Sequence, residues 1–302
     1  MSRCFNRREF LAASTGVVAS IAFSRFNCAL AQSTAPARDQ RYKIAACDWM
    51  MLKRQKLGAF KLAKDCGMDG LEVDMGPLSK NPTFQSELGK SDVREQFLKT
   101  SRETGIEICS IAMSGFYAQS FPTREIEQPI NDCIDTMKQM NAKVAFLPLG
   151  VQGDLVAHPE LRPIVIKRLK AIAPAAEKAG VIIGVETALD AEGDKKLLDE
   201  VGSDAIKIYF NFSNAIQNNR DLYGELKSLG KDRICQIHCT DQDGVLLEKD
   251  EKIDLKKAKD TLDEMGWSGW LVIERSRDAG RSRDVRYNFG ANAKYLKSIF
   301  QT

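Results

Sequence analysis

The chain has 302 residues, of which 43% are apolar and 28% charged, the balance of a soluble globular protein rather than a disordered or membrane-embedded one. Its net charge of +3 is carried by residues 1–31, where Arg3, Arg7, Arg8 and Arg25 stand against Glu9, so the rest of the chain is neutral. A neutral chain without a basic stripe is a poor match for nucleic acid, because phosphate neutralisation supplies most of that affinity.

Residues 1–31 read as a cleavable export signal of the twin-arginine (Tat) type. Arg7-Arg8-Glu9-Phe10-Leu11 leads into an apolar run from Leu11 to Phe23, and Ala29-Leu30-Ala31 offers a small-x-small cleavage site before Gln32. The run has 13 residues, too short to span a bilayer as a helix. A retained anchor is the alternative, and Cys28 lacks the small preceding residue of a lipidated cysteine. Export predicts a periplasmic protein, with no membrane contact beyond the signal. Residues 32–41 are polar and read as a flexible lead-in, and residues 42–302 as one domain.

From there a short apolar run and an amphipathic stretch alternate eight times. The runs are 42–47, 70–75, 106–113, 142–149, 181–188, 206–213, 234–240 and 269–275. Predicted helices cover 60–67, 91–105, 124–141, 161–180, 193–202, 221–230, 252–266 and part of 284–300. Ser91 is the expected N-cap of the second and Gly105 its stop. The third can begin near Pro129, and Pro174 should kink or split the fourth. Eight such units predict a single (β/α)₈ barrel of the TIM type. An open doubly wound sheet would show a glycine-rich phosphate turn after an early strand, and none is present.

A barrel of this kind carries its chemistry at the C-terminal strand ends. Glu186 in VIIGVETA, Asn211 in IKIYFNFSNA, His238 in ICQIHCTD and Glu274 in GWLVIERS fall at or near the ends of strands five to eight. Three oxygen donors and one imidazole suit Mn²⁺, Mg²⁺ or Co²⁺ better than a sulfur-rich zinc site. A salt-bridge network at the barrel mouth is the bland alternative. Cys235 and Cys239 flank His238, but strand alternation puts both on the face opposite Gln236 and His238. The six cysteines beyond the signal read as small buried hydrophobes.

With these four residues in order, the sequence resembles the xylose isomerase-like barrels, a family that includes sugar phosphate isomerases/epimerases and ketose 3-epimerases. The resemblance covers about residues 42–299 and is strongest over 181–276. It implies one divalent cation, Mn²⁺ first with Mg²⁺, Co²⁺ or Zn²⁺ as alternatives, held by Glu186, Asn211, His238 and Glu274. It also implies that Glu186 and Glu274 exchange protons with a sugar carbon. Asn211 departs from the family's aspartate: its amide oxygen can coordinate but brings no charge, so the metal should bind more weakly.

The chemistry that follows is proton removal beside a sugar carbonyl, a metal-stabilised ene-diolate, and proton return from the opposite face or to the neighbouring carbon. Glu72, Asn214, Gln236, Trp49 and Tyr117 are candidate substrate contacts, the two aromatics by stacking on a sugar face, as is Phe116. Asp241, three residues after His238, is a candidate partner behind the metal ligands or a loop carboxylate, and His158 a surface residue. Export and the lack of a phosphate cradle favour a free sugar, keto-sugar or glycoside. A lyase or hydratase on 3-keto-sugars or keto-glycosides, and a non-catalytic carbohydrate-binding barrel, are the alternatives. A trinuclear-zinc endonuclease of related fold would need more histidines than two. A homo-oligomer is compatible with the sequence.

Overall fold

The computed structural model describes residues 40–78 and 80–302. The expected export signal and most of the expected lead-in lie outside the described residues. Eight parallel strands close into one barrel in chain order: β1 (Tyr42–Cys47), β2 (Gly70–Asp74), β3 (Glu107–Ala112), β4 (Val144–Pro148), β5 (Ile182–Glu186), β6 (Ile206–Asn211), β7 (Ile234–His238) and β8 (Gly269–Ile273). Closure is made by β1 on β8, in register from Tyr42↔Gly269 to Ala46↔Ile273. Around the barrel run α1 (Gly58–Asp65), α2 (Ser91–Thr104), α3 (Glu127–Met140), α4 (Arg162–Ala179), α5 (Ala191–Val201), α6 (Phe212–Gln217), α7 (Leu222–Leu229), α8 (Leu255–Met265) and α9 (Val285–Phe300). Among the described residues no helix is long and apolar enough to cross a membrane.

Strand alternation divides the core in two. One row of each strand, including Ile44, Leu71, Ile111, Leu147, Ile183, Ile208, Ile237 and Leu271, packs outward against the helices. The other row fills the lumen, where Ala45, Cys47, Ala112, Phe146, Tyr209 and Val272 form a smaller cluster. Register shifts between β2 and β3 and between β6 and β7 leave Cys109 and Cys235 as extra residues. The second corrects the alternation argument: Cys235 turns inward, and its sulfur lies where a Cβ on Gly184 would sit. All six cysteines of the described residues are free, and only Cys235 is not fully buried.

Local sequence explains the helix ends. Asp190, Asp221, Asp254 and Asp284 cap α5, α7, α8 and α9, each carboxylate accepting a backbone N–H of the first turn. Ser91 is already inside α2, preceded by Lys90 without a side-chain cap, and Gly105 closes that helix in the left-handed conformation. Pro174 does not split α4, which is continuous from Arg162 to Ala179. The proline is on the exposed face, where water can satisfy the Lys170 carbonyl that it leaves unpaired. Arg41, read as lead-in, is anchored instead, donating to the carbonyls of Leu262 (3.1 Å) and Trp267 (2.9 Å). β6 stops at Asn211 rather than 213, because the chain turns there into α6.

Candidate active site

Glu186 and His238 are the last residues of β5 and β7, and Glu274 directly follows β8. Their side chains meet in the lumen at the C-terminal end of the barrel. His238 Nδ1 lies 3.3 Å from Glu186 Oε2 and 3.8 Å from Glu274 Oε2. Asn211 Nδ2 lies 3.0 Å and 3.4 Å from the same two oxygens. Tyr117, from the loop after β3, donates from its hydroxyl to Glu186 Oε1 at 2.9 Å and reaches Glu274 Oε1 at 3.4 Å. The two glutamates are thus bridged on one side by an amide and an imidazole, and on the other by a phenol.

Gly150 holds the phenol's loop in place. It has φ +62°, and a Cβ there would lie 2.7 Å from the Tyr117 carbonyl oxygen. Only glycine both adopts this backbone and lets the β4–α4 loop press on the segment carrying Tyr117.

Below this layer lies a second, fully buried one. His238 Nε2 donates to Glu72 Oε1 at 3.1 Å. Glu72 also accepts from Ser110 Oγ (2.7 Å), Tyr209 Oη (2.8 Å) and Cys47 Sγ (3.4 Å). Gln236 Nε2 donates to Ser110 Oγ and Tyr209 Oη, both at 2.9 Å. The rings of Phe146 and Tyr209 pack against the imidazole, with centroids at 4.7 and 4.6 Å. The sequence reading assigns Glu72 and Gln236 to substrate, and the structure places both in this buried layer. Each has no exposed surface and sits one pleat deeper than its strand end, in the floor under His238. Tyr209 follows from alternation with Asn211 along β6, whereas Cys47 and Ser110 escape the sequence reading as site residues, since small residues in a strand carry no signal beyond alternation.

Electrostatics follow from this packing. Burial alone would lower the His238 pKa, but hydrogen bonds to Glu186 and Glu72 and the charge of Glu274 outweigh it and push it up to about 10. Burial raises Glu274, against the pull of His238 and with the push of Glu186. Burial, Glu186 and Glu274 hold Tyr117 well above an ordinary phenol, so it stays a neutral donor.

Two places offer a metal donor set. Cys47, Glu72 and His238 have ligand atoms within 4.8 Å of one another. Burial, Glu72 and Glu274 raise the Cys47 thiol, however, keeping it a donor rather than a thiolate. Glu72 is already met by four hydrogen-bond donors. The Nδ1 side is better suited: two carboxylate oxygens face an imidazole nitrogen whose partner nitrogen is engaged by a carboxylate, the arrangement that orients metal-binding histidines. Asn211 differs from expectation, because its Oδ1 accepts the Ser213 N–H (2.9 Å) and its amide nitrogen faces the glutamates.

The remaining candidates divide. Trp49 and Tyr117 both lie against Phe146, Trp49 stacked at 6.3 Å and Tyr117 tilted at 6.0 Å, forming an aromatic wall at the mouth. Asn214 donates to the Thr187 carbonyl and, with Tyr117, Glu186 and Asp154, lines a cavity of about 190 Å³. A larger cavity of about 670 Å³ lies between α3 and α4 on the outside of the barrel, away from all of these residues. Asp241 does not pair with His238. It accepts from Ser213 Oγ (3.3 Å) and Gln217 Nε2 (2.6 Å) and so anchors α6. Phe116 is buried core between Phe84 and Phe121. His158 is exposed and pairs with Glu160.

Fold and site together define a (β/α)₈ barrel with a carboxylate–imidazole centre at the C-terminal strand ends. The sequence profile of the xylose isomerase-like TIM barrel family matches residues 60–299, and the chain belongs to that family. No curated protein matches it by sequence. Among solved structures it is similar to 3-keto-D-glucoside 4-epimerase from E. coli, with 15% identity, TM-score 0.66, and 85% of this chain and 99% of that one covered. It is also similar to D-psicose 3-epimerase from Clostridium cellulolyticum H10, solved with D-tagatose, with 12% identity, TM-score 0.65 and coverage of 85% and 99%. A third is the IOLI protein with a bound zinc atom, with 17% identity, TM-score 0.60 and coverage of 86% and 100%.

Proposed function

We propose that this barrel is a divalent-metal-dependent isomerase or epimerase of a sugar or keto-sugar. The observation that carries this reading is the meeting of Glu186 and Glu274 at one imidazole, with a neutral tyrosine bridging them. Glu186, Glu274 and His238 Nδ1 would hold the ion, with Asn211 the fourth candidate, and Mn²⁺ is the first choice for such oxygen-rich donors. A bound divalent cation supplies the positive charge that acidifies a C–H beside a carbonyl and stabilises the ene-diolate.

The chain's own residues do the rest. One glutamate takes the proton from the substrate carbon, and the other returns a proton. They rise from β5 and β8, across the barrel from each other, which suits transfer on two faces of a flat ene-diolate. Tyr117, as a neutral donor, holds both carboxylates toward the reacting carbon. Trp49 offers a flat face for the sugar ring, and Asn214 a polar contact beside Glu186. The 3-keto-glucoside and ketose substrates named for the similar structures support keto-sugars or keto-glycosides as the class to test. The twin-arginine pattern supports a periplasmic place of work, where unphosphorylated sugars are the natural candidates.

The test is proton exchange in D₂O, followed by NMR, on a panel of ketoses and 3-keto-glycosides with Mn²⁺ present. Deuterium should enter the carbon beside the carbonyl, and Glu186→Gln should stop it. Release of an aglycone without an epimer would move the assignment to a lyase. Sugar binding that survives chelator, with no exchange, would replace it with a binding protein.

A further inference from the structure

Asn211 does two things at once. Its Oδ1 accepts the Ser213 N–H at 2.9 Å and caps α6, with backbone in the extended region (φ −120°, ψ 118°). Its Nδ2 points at Glu186 Oε2 and Glu274 Oε2, the same two oxygens that His238 Nδ1 faces. The hydrogen bonds fix this orientation. A flipped amide would set its NH₂ against the Ser213 N–H and its oxygen against two carboxylates, losing three favourable contacts for three repulsive ones. The side chain is 7% exposed, so water cannot repair that loss. An aspartate here would offer two acceptor oxygens, one for the cap and one for a cation. Asparagine offers one, and here it is turned to the Ser213 N–H, away from the two glutamates that the nitrogen faces.

We infer that Asn211 is not a ligand of the ion but a positioning residue, whose amide N–H groups hold Glu186 and Glu274 together. The ion is then held by three side chains of this chain: Glu186, Glu274 and His238. This rests on the proposed metal reading of the site. It has two consequences that run in opposite directions. The metal-free site is stabilised by a neutral donor set between two carboxylates. The metal-bound site carries one anionic ligand fewer, which leaves an additional coordination position for a chelating substrate and weakens the ion in its absence.

The test compares wild type, Asn211→Asp, Asn211→Ser and Glu274→Gln as purified full-length proteins. Mn²⁺ affinity is measured by titration calorimetry and electron paramagnetic resonance, and melting temperature with and without chelator. Asn211→Asp keeps the cap and adds a carboxylate oxygen, so it should tighten Mn²⁺ about tenfold or more. It should also lower the melting temperature of the metal-free protein, because three carboxylates then meet without a metal ion, and Mn²⁺ should restore it. Asn211→Ser keeps a capping oxygen and removes the amide, so Mn²⁺ affinity should stay within about threefold of wild type, while metal-free stability falls. Glu274→Gln should abolish Mn²⁺ binding. If Asn211→Ser weakens Mn²⁺ tenfold or more while Glu274→Gln abolishes it, Asn211 is a ligand and this inference alone fails. If neither wild type nor Asn211→Asp binds Mn²⁺, the metal reading fails with it.

Discussion

His238 and Glu72 lie 3.1 Å apart, Nε2 to Oε1, with no exposed surface on either side chain. This contact decides which imidazole nitrogen faces the glutamates. With Nε2–H donated to Glu72, Nδ1 is the nitrogen left for a cation. Glu72→Gln replaces an acceptor of four hydrogen bonds with an amide whose NH₂ meets the Ser110 and Tyr209 hydroxyls. The expected result is a loss of about 3 kcal/mol in denaturant stability from a broken buried pair, and a divalent-metal affinity lower by about 10–100-fold. A folded variant with unchanged metal affinity would remove Glu72 from the orientation of His238.

Tyr117 can be tested with little disturbance to packing, since phenylalanine keeps the ring on Phe146. Losing a hydrogen bond to a charged group costs about 2 kcal/mol, or about thirtyfold in rate. Tyr117→Phe should slow deuterium exchange by that order while leaving Mn²⁺ affinity nearly unchanged. A rate equal to wild type would show that the glutamates need no phenol bridge.

The raised pKa of His238 would make binding of the proposed cation a proton-release reaction. In the metal-free barrel the imidazole is protonated up to about pH 10, and a cation must displace that proton from Nδ1. Apparent Mn²⁺ affinity should therefore fall by about tenfold for each pH unit lowered below about 10, where the imidazolium competes fully. Calorimetry in buffers of different ionisation enthalpy counts the proton directly. Affinity independent of pH would contradict the charged imidazole.

Asp194 offers a stability test away from the chemistry. It is buried in the first turns of α5 and accepts the Thr187 hydroxyl at 2.6 Å. Burial pushes its pKa up to about 8, with Thr187 pulling the other way and Glu225 adding to the rise. A carboxyl raised in the folded state contributes stability that is fully present below its unfolded value near 3.8 and is lost as pH rises toward about 8. Asp194→Asn keeps an acceptor for Thr187 and cannot ionise. Its melting temperature should exceed wild type at pH 8 and converge with it near pH 4. Parallel melting curves across that range would show Asp194 ionised throughout.

Much of the site is legible in the sequence because of where polar residues interrupt apolar runs. Glu186, Asn211, His238 and Glu274 each follow three or more strand residues with outward-facing aliphatic partners, so once eight units are counted their place at the barrel mouth follows. Glu72 interrupts GLEVD in the same manner and reads the same way, yet it lies at the middle of β2 rather than its end. Asp74 is the residue at that end, turned onto Ser114 and within 3.5 Å of Arg54. Depth within the lumen depends on the stagger of neighbouring strands, and the shifts at Leu71/Glu72 and Ile208/Tyr209 leave no mark in the local pattern.

The sequence by itself determined the alternation of strand and helix, the barrel that eight such units make, and the candidate residues of strands five to eight. These depend on periodicity and on short-range chemistry such as aspartate caps, which neighbours in the chain supply. Only the tertiary structure decided that Glu72 and Gln236 form a floor, that Tyr117 reaches across to both glutamates, and that Asn211 turns its nitrogen toward them. Each of those depends on hydrogen-bond partners brought together from distant strands, or on competition for a single amide oxygen, and a linear pattern carries neither.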